Sequence, residues 1–144
     1  MKNLIFLIAL LLSKLTLSFG QCDKDVTLTS SKTEYLDGSG TVHRTDDEES
    51  TIAINKTQIT ITPGNPDRKM VGTIQSTTCN WPTAYQEGKT VIKVVFQGPS
   101  DAPRHATMTI EGKAGKITFL MEIDEMPDKK IRVNVTSFKE TKKE

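Results

Sequence analysis

The chain has 144 residues, with 19 basic and 18 acidic side chains and a net charge of +1. That balance gives no electrostatic case for nucleic acid, because a phosphate binder needs excess positive charge on one face. Two cysteines and two histidines leave little material for a zinc site, which needs about four ligands closely spaced.

The N-terminus reads MKNLIFLIALLLSKLTLSFG. Lys2 supplies a positive n-region. Leu4 to Leu12 is an apolar run of about nine residues, the length of a signal h-region and too short to span a bilayer. Ser18-Phe19-Gly20 has the small-x-small form of a cleavage site. Residues 1–20 are therefore expected to be a signal peptide, with the mature chain starting at Gln21. Lys14 departs from the pattern, and an uncleaved anchor or a buried helix are the other readings. Lipid attachment at Cys22 would tether the protein to a membrane instead. That processing wants a small residue before the cysteine and meets Gln21. The chain is expected to be exported, to the periplasm or beyond the cell, with the Cys22 anchor as the alternative. Without the signal, 17 basic residues face 18 acidic ones.

About 124 residues remain, a common size for one domain. The domain is expected over 21–138, with a polar tail at 139–144. No further stretch is apolar enough for membrane insertion. Cys22 and Cys79 meet an oxidising compartment after export, so one Cys22–Cys79 disulfide is the simplest pairing. Two free buried thiols are the alternative.

From Asp25 onward the hydrophobic period is two. Val26 and Leu28 alternate with threonines. DGSG (residues 37–40) is a turn, and Val42 lies in a short polar strand. DDEES (residues 46–50) reads as a solvated acidic loop; calcium, the other reading, lacks an EF-hand pattern and a glycine in the run. The pairs Ile52/Ile54 and Ile59/Ile61 alternate across NKTQ, and Met70, Gly72 and Ile74 follow. Ile92, Val94 and Phe96 form a denser strand. Ala106, Met108 and Ile110 precede GKAG (residues 112–115), whose glycines suit a tight hairpin. Ile117, Phe119, Met121 and Ile123 lead to EMPDK and a last strand with Ile131, Val133 and Val135. Strict alternation buries one face and wets the other. The prolines of PGNPDR and QGPSDAPR belong in turns.

These features predict an all-β chain: an antiparallel meander of eight or nine strands. A meander of that size removes its exposed edges by closing. A lipocalin-like barrel is favoured over a β-sandwich, because an immunoglobulin-type sandwich expects a Cys…Trp…Cys order and both cysteines precede Trp81.

Catalytic patterns are lacking. His43 and His105 sit beside Arg44 and Arg104 in strands and read as solvated. No G-x-S-x-G or similar motif accompanies them. Glu122, Asp124, Glu125 and Asp128 mix both faces of a strand end, which gives no support to a carboxylate pair. Asn55-Lys56-Thr57 and Asn134-Val135-Thr136 match the glycosylation sequon, relevant only in a eukaryotic secretory pathway. No enzyme, cofactor or metal is expected.

The stretch STTCNWPTAYQEGKT (residues 76–90) gathers Cys79, the only tryptophan and Tyr85. Cys79 and Trp81 are two apart and share a strand face. Trp81 can lie against the disulfide and close the core, with Pro82 ending the strand and Tyr85 packed on it. Alternatively, Trp81 and Tyr85 line a cavity mouth and offer flat faces to a ligand.

The signal followed by Gln21-Cys22, the segment TLTSSKTEYLD and the segment EGKAGKITFLMEIDEMPDKKIRV resemble the small exported lipocalin-like β-domains of Bacteroidetes-type bacteria. The resemblance implies a barrel and carries over no functional residue. A Gly-x-Trp at the first strand, usual in lipocalins, is absent here. The expected function is non-enzymatic binding of a small apolar ligand in the barrel or at its mouth. A filled core would instead favour a structural or interaction module that meets an envelope protein.

Overall fold

The structure is a computed structural model that describes residues 20–98 and 102–142. The expected signal peptide falls on residues 1–19, outside the described residues, apart from Gly20.

Eight antiparallel strands form a closed barrel in sequence order. They are β1 (Val26–Leu36), β2 (Val42–Ile54), β3 (Gln58–Thr62), β4 (Met70–Thr83), β5 (Glu87–Phe96), β6 (Arg104–Lys113), β7 (Lys116–Ile123) and β8 (Lys130–Glu140). Each strand pairs with the next, and β8 returns to β1, with Leu28 opposite Phe138 and Tyr35 opposite Ile131. Closure satisfies backbone groups that an open meander would leave at its edges. A short 3-10 turn, Gly20–Asp23, precedes β1, and another, Pro66–Arg68, lies between β3 and β4.

The alternating residues face inward. Leu28, Ile59, Ile92, Met108 and Ile110 are 0–1% exposed and fill the middle of the barrel. Burying each stabilises the fold by about 1.5–3 kcal/mol, an upper figure because the unfolded chain is not fully extended. The mid-barrel is therefore packed rather than hollow.

Three details differ from the sequence reading. DDEES is not a loop: Asp46 to Ser50 belong to β2, which makes Val42–Ile54 one strand and the total eight. Pairing with β1 draws this run into the ladder, with Lys32 opposite Asp47 and Thr33 opposite Asp46. Trp81 and Pro82 do not end β4, because a register irregularity between Asn80 and Thr83 carries the strand past the proline. Beyond Phe138, β8 continues through Lys139 and Glu140, which pair with Thr27 and Val26. The Thr141 N–H then donates to the Asp25 carbonyl at 2.8 Å. The tail is thus part of the barrel wall as far as Thr141.

The GKAG hairpin forms, but its loop is Ala114-Gly115, with φ of 51° and 82°. Positive φ at both central residues matches the twist of the flanking strands. Gly112 lies in the ladder opposite Ile117 and has a different role, described below.

The strands differ greatly in length. β3 has 5 residues, β4 has 14 and β2 has 13. Consequently β2 meets β3 only over Thr51–Ile54, and β3 meets β4 only over Gln58–Ile61. The wall therefore has a gap beside β3 at each end of the barrel. One gap borders the second half of β4, the other the first half of β2.

Candidate functional site

The gap beside β4 is covered by the N-terminal 3-10 turn. Cys22 in that turn is bonded to Cys79 of β4, with Cα atoms 5.9 Å apart. The Cys22 sulfur is thereby committed, so the alternative of a lipid anchor on it does not fit this arrangement. Gln21 is 5% exposed, and its side-chain Oε1 accepts the backbone N–H of Tyr85. Tyr85 has φ of 60°, a conformation rare for a large side chain, in the turn between β4 and β5.

Trp81 and Tyr85 are brought together, as their selection from the sequence required, but through Phe138. The Phe138 ring centroid lies 5.4 Å from that of Trp81 and 5.0 Å from that of Tyr85, both edge-on. The indole N–H donates to Thr90 Oγ1 at 2.7 Å, and that hydroxyl donates to Cys79 Sγ at 3.4 Å. Thr90 is 7% exposed, so this buried hydroxyl is satisfied by the indole. The indole also lies over Gly112, where an added Cβ would sit 2.6 Å from Cζ3 of Trp81. Only glycine admits the ring there. Burial pushes the Tyr85 hydroxyl above its usual range, with Glu140 adding to the shift. These contacts make the Trp81–Tyr85–Phe138 cluster a stopper for this end. A cleft of about 280 Å³ remains beside it, lined by Gln21, Cys22, Val26, Thr77, Ile92 and Phe138 among others, but by neither Trp81 nor Tyr85.

The opposite end carries the connections β1–β2, β3–β4, β5–β6 and β7–β8. A bowl of about 530 Å³ is lined by Tyr35, Leu36, Met121, Ile123 and Ile131, with Asp37, His43, Arg44, Met126, Asp128, Lys129 and Lys130 around them. This volume falls in the range of small-molecule sites, about 300–1,000 Å³. Arg44, Tyr35, Ile131 and Met121 are opposite one another across four strands, so one inward row forms the floor. The Arg44 guanidinium stacks 4.1 Å above the Tyr35 ring and pairs with Asp46 at 3.2 Å.

Tyr35, Met121 and Ile131 also line a second cleft of about 200 Å³, which runs to Ile52, Ile61, Phe119 and Val133. It meets the gap beside β2, where Glu48 and Ser50 stand on one side and Pro63, Arg68 and Met70 on the other. Ser50 faces inward with Ile52 and is 7% exposed. Its hydroxyl oxygen is buried and has no hydrogen-bond partner among the described residues.

The histidines are paired rather than simply solvated. His105 Nδ1 is 2.7 Å from Glu125, and its hydrogen bond is the main cause holding that carboxyl below its usual range. His43 Nε2 lies 3.0 Å from Asp37 Oδ2, while Ser39 Oγ donates to Asp37 Oδ1 at 2.7 Å. The Ser39 hydroxyl, the Thr41 N–H and His43 hold the Asp37 carboxyl well below its ordinary value. Ser39, Asp37 and His43 are a nucleophile, acid and base in type only. The hydroxyl donates to the carboxylate and not to the imidazole, so His43 is not placed to take its proton as a triad requires. Among the described residues no group of three or more His, Cys, Asp or Glu side chains could hold a metal ion, and no helix is long and apolar enough to cross a membrane.

No family model, curated protein or solved structure gives a significant match to this chain.

The sequence reading missed Tyr35, Met121, Ile131 and Ser50 as site residues. A signal for them exists. Along β2 the inward positions run Ile54, Ile52, Ser50, Glu48, Asp46, Arg44, so the buried face turns polar where β3 is no longer alongside.

Proposed function

We propose that this protein is an exported, non-enzymatic β-barrel that binds a small apolar ligand in the bowl at its open end. It would be a relative in kind of the small lipocalin-like envelope domains. The observation that carries the reading is the bowl itself: an apolar floor of Tyr35, Met121 and Ile131 under a polar rim. The disulfide supports export, since such bonds persist in oxidising compartments. The packed middle of the barrel supports a ligand at the mouth over one in a central cavity.

The packed core also favours a second reading, a structural or interaction module that meets an envelope protein through its outer surface. Val42, Met70 and Val71 are exposed apolar residues available for such a contact.

Native mass spectrometry of protein purified without detergent from its source cells separates the two. A discrete added mass, released on denaturation, fits the ligand reading. A clean polypeptide mass, together with a co-purifying envelope protein, would replace it with the second.

A further inference from the structure

The free edge of β2 carries an inference that goes beyond the ligand reading and does not depend on it. β2 has 13 residues, and its pairing with β3 covers only residues 51–54. From Val42 to Ser50 it has a strand on one side alone, β1. The β3–β4 connection comes against Glu48 and Glu49 at Gly64, where an added Cβ would lie 3.1 Å from the Glu48 Cβ. Residues 42–47 remain as the bare stretch. Val42, His43, Arg44, Thr45 and Asp47 are exposed there, and Asp46 is half-buried. Among the described residues this stretch makes no backbone hydrogen bond outside the β1 ladder. Every second residue therefore turns its N–H and C=O away from β1 and into water.

An edge of this kind is a template for another strand, and the side chains around it say which strand suits it. Residues 46–49 are Asp-Asp-Glu-Glu, and the one full cation in β2, Arg44, is already paired with Asp46 at 3.2 Å. Asp47 and Glu49 lie on the outer face. Asp47 meets Lys32 only at 4.0 Å, and Glu49 has no ion pair among the described residues. A strand laid alongside brings its side chains to about 4.5–5.5 Å from these carboxylates, where opposite charge is favourable. The inner face of the gap is different. Met70, 38% exposed, stands across it from Glu48, and Val42, at the start of the edge, is 40% exposed. Two copies of this edge carry the same excess of acid and repel, so the fitting partner is a different chain.

We infer that β2 takes an extended basic segment of another protein as an added strand, with lysines or arginines alternating with apolar residues. The cations lie on the outer face beside Asp47 and Glu49, and the apolar side chains turn inward toward Met70. Main-chain hydrogen bonds hold the segment, and the alternation selects it.

The test titrates Ac-KVKVKVK-NH2 into the mature disulfide-bonded protein, labelled with nitrogen-15, at physiological salt. Two controls accompany it: Ac-EVEVEVE-NH2, and the lysine peptide N-methylated at every residue, which keeps its charge and side chains but has no N–H to donate. The lysine peptide should shift the amides of residues 42–47 and slow hydrogen exchange at every second one. The N-methylated peptide should bind at least about tenfold more weakly, the loss of about two net hydrogen bonds. The glutamate peptide should not bind. Asp47→Lys with Glu49→Lys should weaken the lysine peptide about tenfold and admit the glutamate peptide. Both side chains are exposed, so this variant is expected to fold normally, which its amide spectrum checks directly.

Equal binding of the N-methylated peptide would reduce the effect to charge and overturn strand addition. Protection of the β2 edge on raising the protein concentration alone would make a second copy the occupant and overturn the inference. Shifts of Met121, Ile123 and Ile131 without the edge would place the peptide in the bowl, with the same consequence. No shift along residues 42–47 at millimolar peptide would also overturn it. The ligand reading stands or falls separately, on the native mass.

Discussion

Replacing both cysteines, Cys22→Ala with Cys79→Ala, tests how the closed end is held. The bond joins residues 57 apart in sequence. Chain-entropy theory for a loop of that size gives about 4 kcal/mol of stabilisation, through the restriction of the unfolded chain. The structure adds a local effect in the same direction. Once the bond is gone, the 3-10 turn retains the Gln21 contact to the Tyr85 N–H, and β4 beyond Ile74 has no β3 alongside it. For a domain of this size the loss corresponds to a fall in Tm of about 15 °C. In urea, with a slope of about 2 kcal/mol per molar, the midpoint falls by about 2 M. Equilibrium unfolding followed by Trp81 fluorescence and by far-ultraviolet circular dichroism measures this, and coincidence of the two curves checks that unfolding is two-state. A midpoint shift below about 0.5 M at unchanged slope would refute the staple argument. Alkylation without reductant should add no mass to the wild-type chain, and reduction should make two sites reactive.

Three further outcomes follow from particular contacts. Gly112→Ala forces a methyl to 2.6 Å from the Trp81 ring and 2.7 Å from the Gln86 carbonyl, and it should destabilise the barrel by about 1–3 kcal/mol in the same urea assay. A neutral result would mean that the indole does not sit over that glycine. Ser50→Ala removes an unpaired buried hydroxyl, so in ligand-free protein it should be neutral or stabilising by up to about 1 kcal/mol, whereas a loss of more than that would reveal a partner for the hydroxyl. Glu34 bridges β1 to Arg132 and Asn134 on β8, with 3.2 and 3.1 Å contacts to the guanidinium, and the Arg132 hydrogen bond lowers its pKa from the ordinary 4.5. A depressed carboxylate stabilises the fold above its unfolded value, and this stabilisation is lost as pH falls through the folded value. Glu34→Gln should therefore lose about 0.5–1 kcal/mol at pH 7, and the difference from wild type should shrink as pH falls below 4.5, in denaturant titrations run across that range. A difference independent of pH would show that packing, not charge, underlies the effect.

Much of the architecture was legible because a half-buried strand writes its burial into every second residue. Leu28, Ile52, Ile59, Ile92, Met108, Phe119 and Val133 all lie on the side that alternation assigned to the core. The Cys22–Cys79 pairing needed no geometry, since two cysteines in one chain have one intramolecular partner each. DDEES was harder. Its acids have low strand propensity, and what holds them in β2 is non-local pairing with β1, which no window of sequence contains. Gly112 misled for a related reason: beside Gly115 it reads as turn glycine, yet its lack of a side chain serves a ring 31 positions earlier, Trp81. The pair Trp81 and Tyr85 lies at one end of the barrel. Its partner Phe138 sits at the far end of the chain, so the packing that distinguishes a stopper from a binding surface was hidden.

The short β3 strand connects these observations. A barrel whose shortest strand has 5 residues beside neighbours of 13 and 14 cannot have a complete wall at either end. The two gaps are treated oppositely. Beside β4, the chain supplies a covalent bond, a buried glutamine and three packed aromatic rings. Beside β2, it supplies inward polar residues, Arg44, Asp46, Glu48 and Ser50, over an apolar floor. Had stability alone governed this second gap, inward apolar residues and a longer β3 would have closed it with the same alternation used elsewhere in the barrel. A buried hydroxyl without a partner among the described residues is the reverse of that solution, and it lies toward the end that carries the bowl.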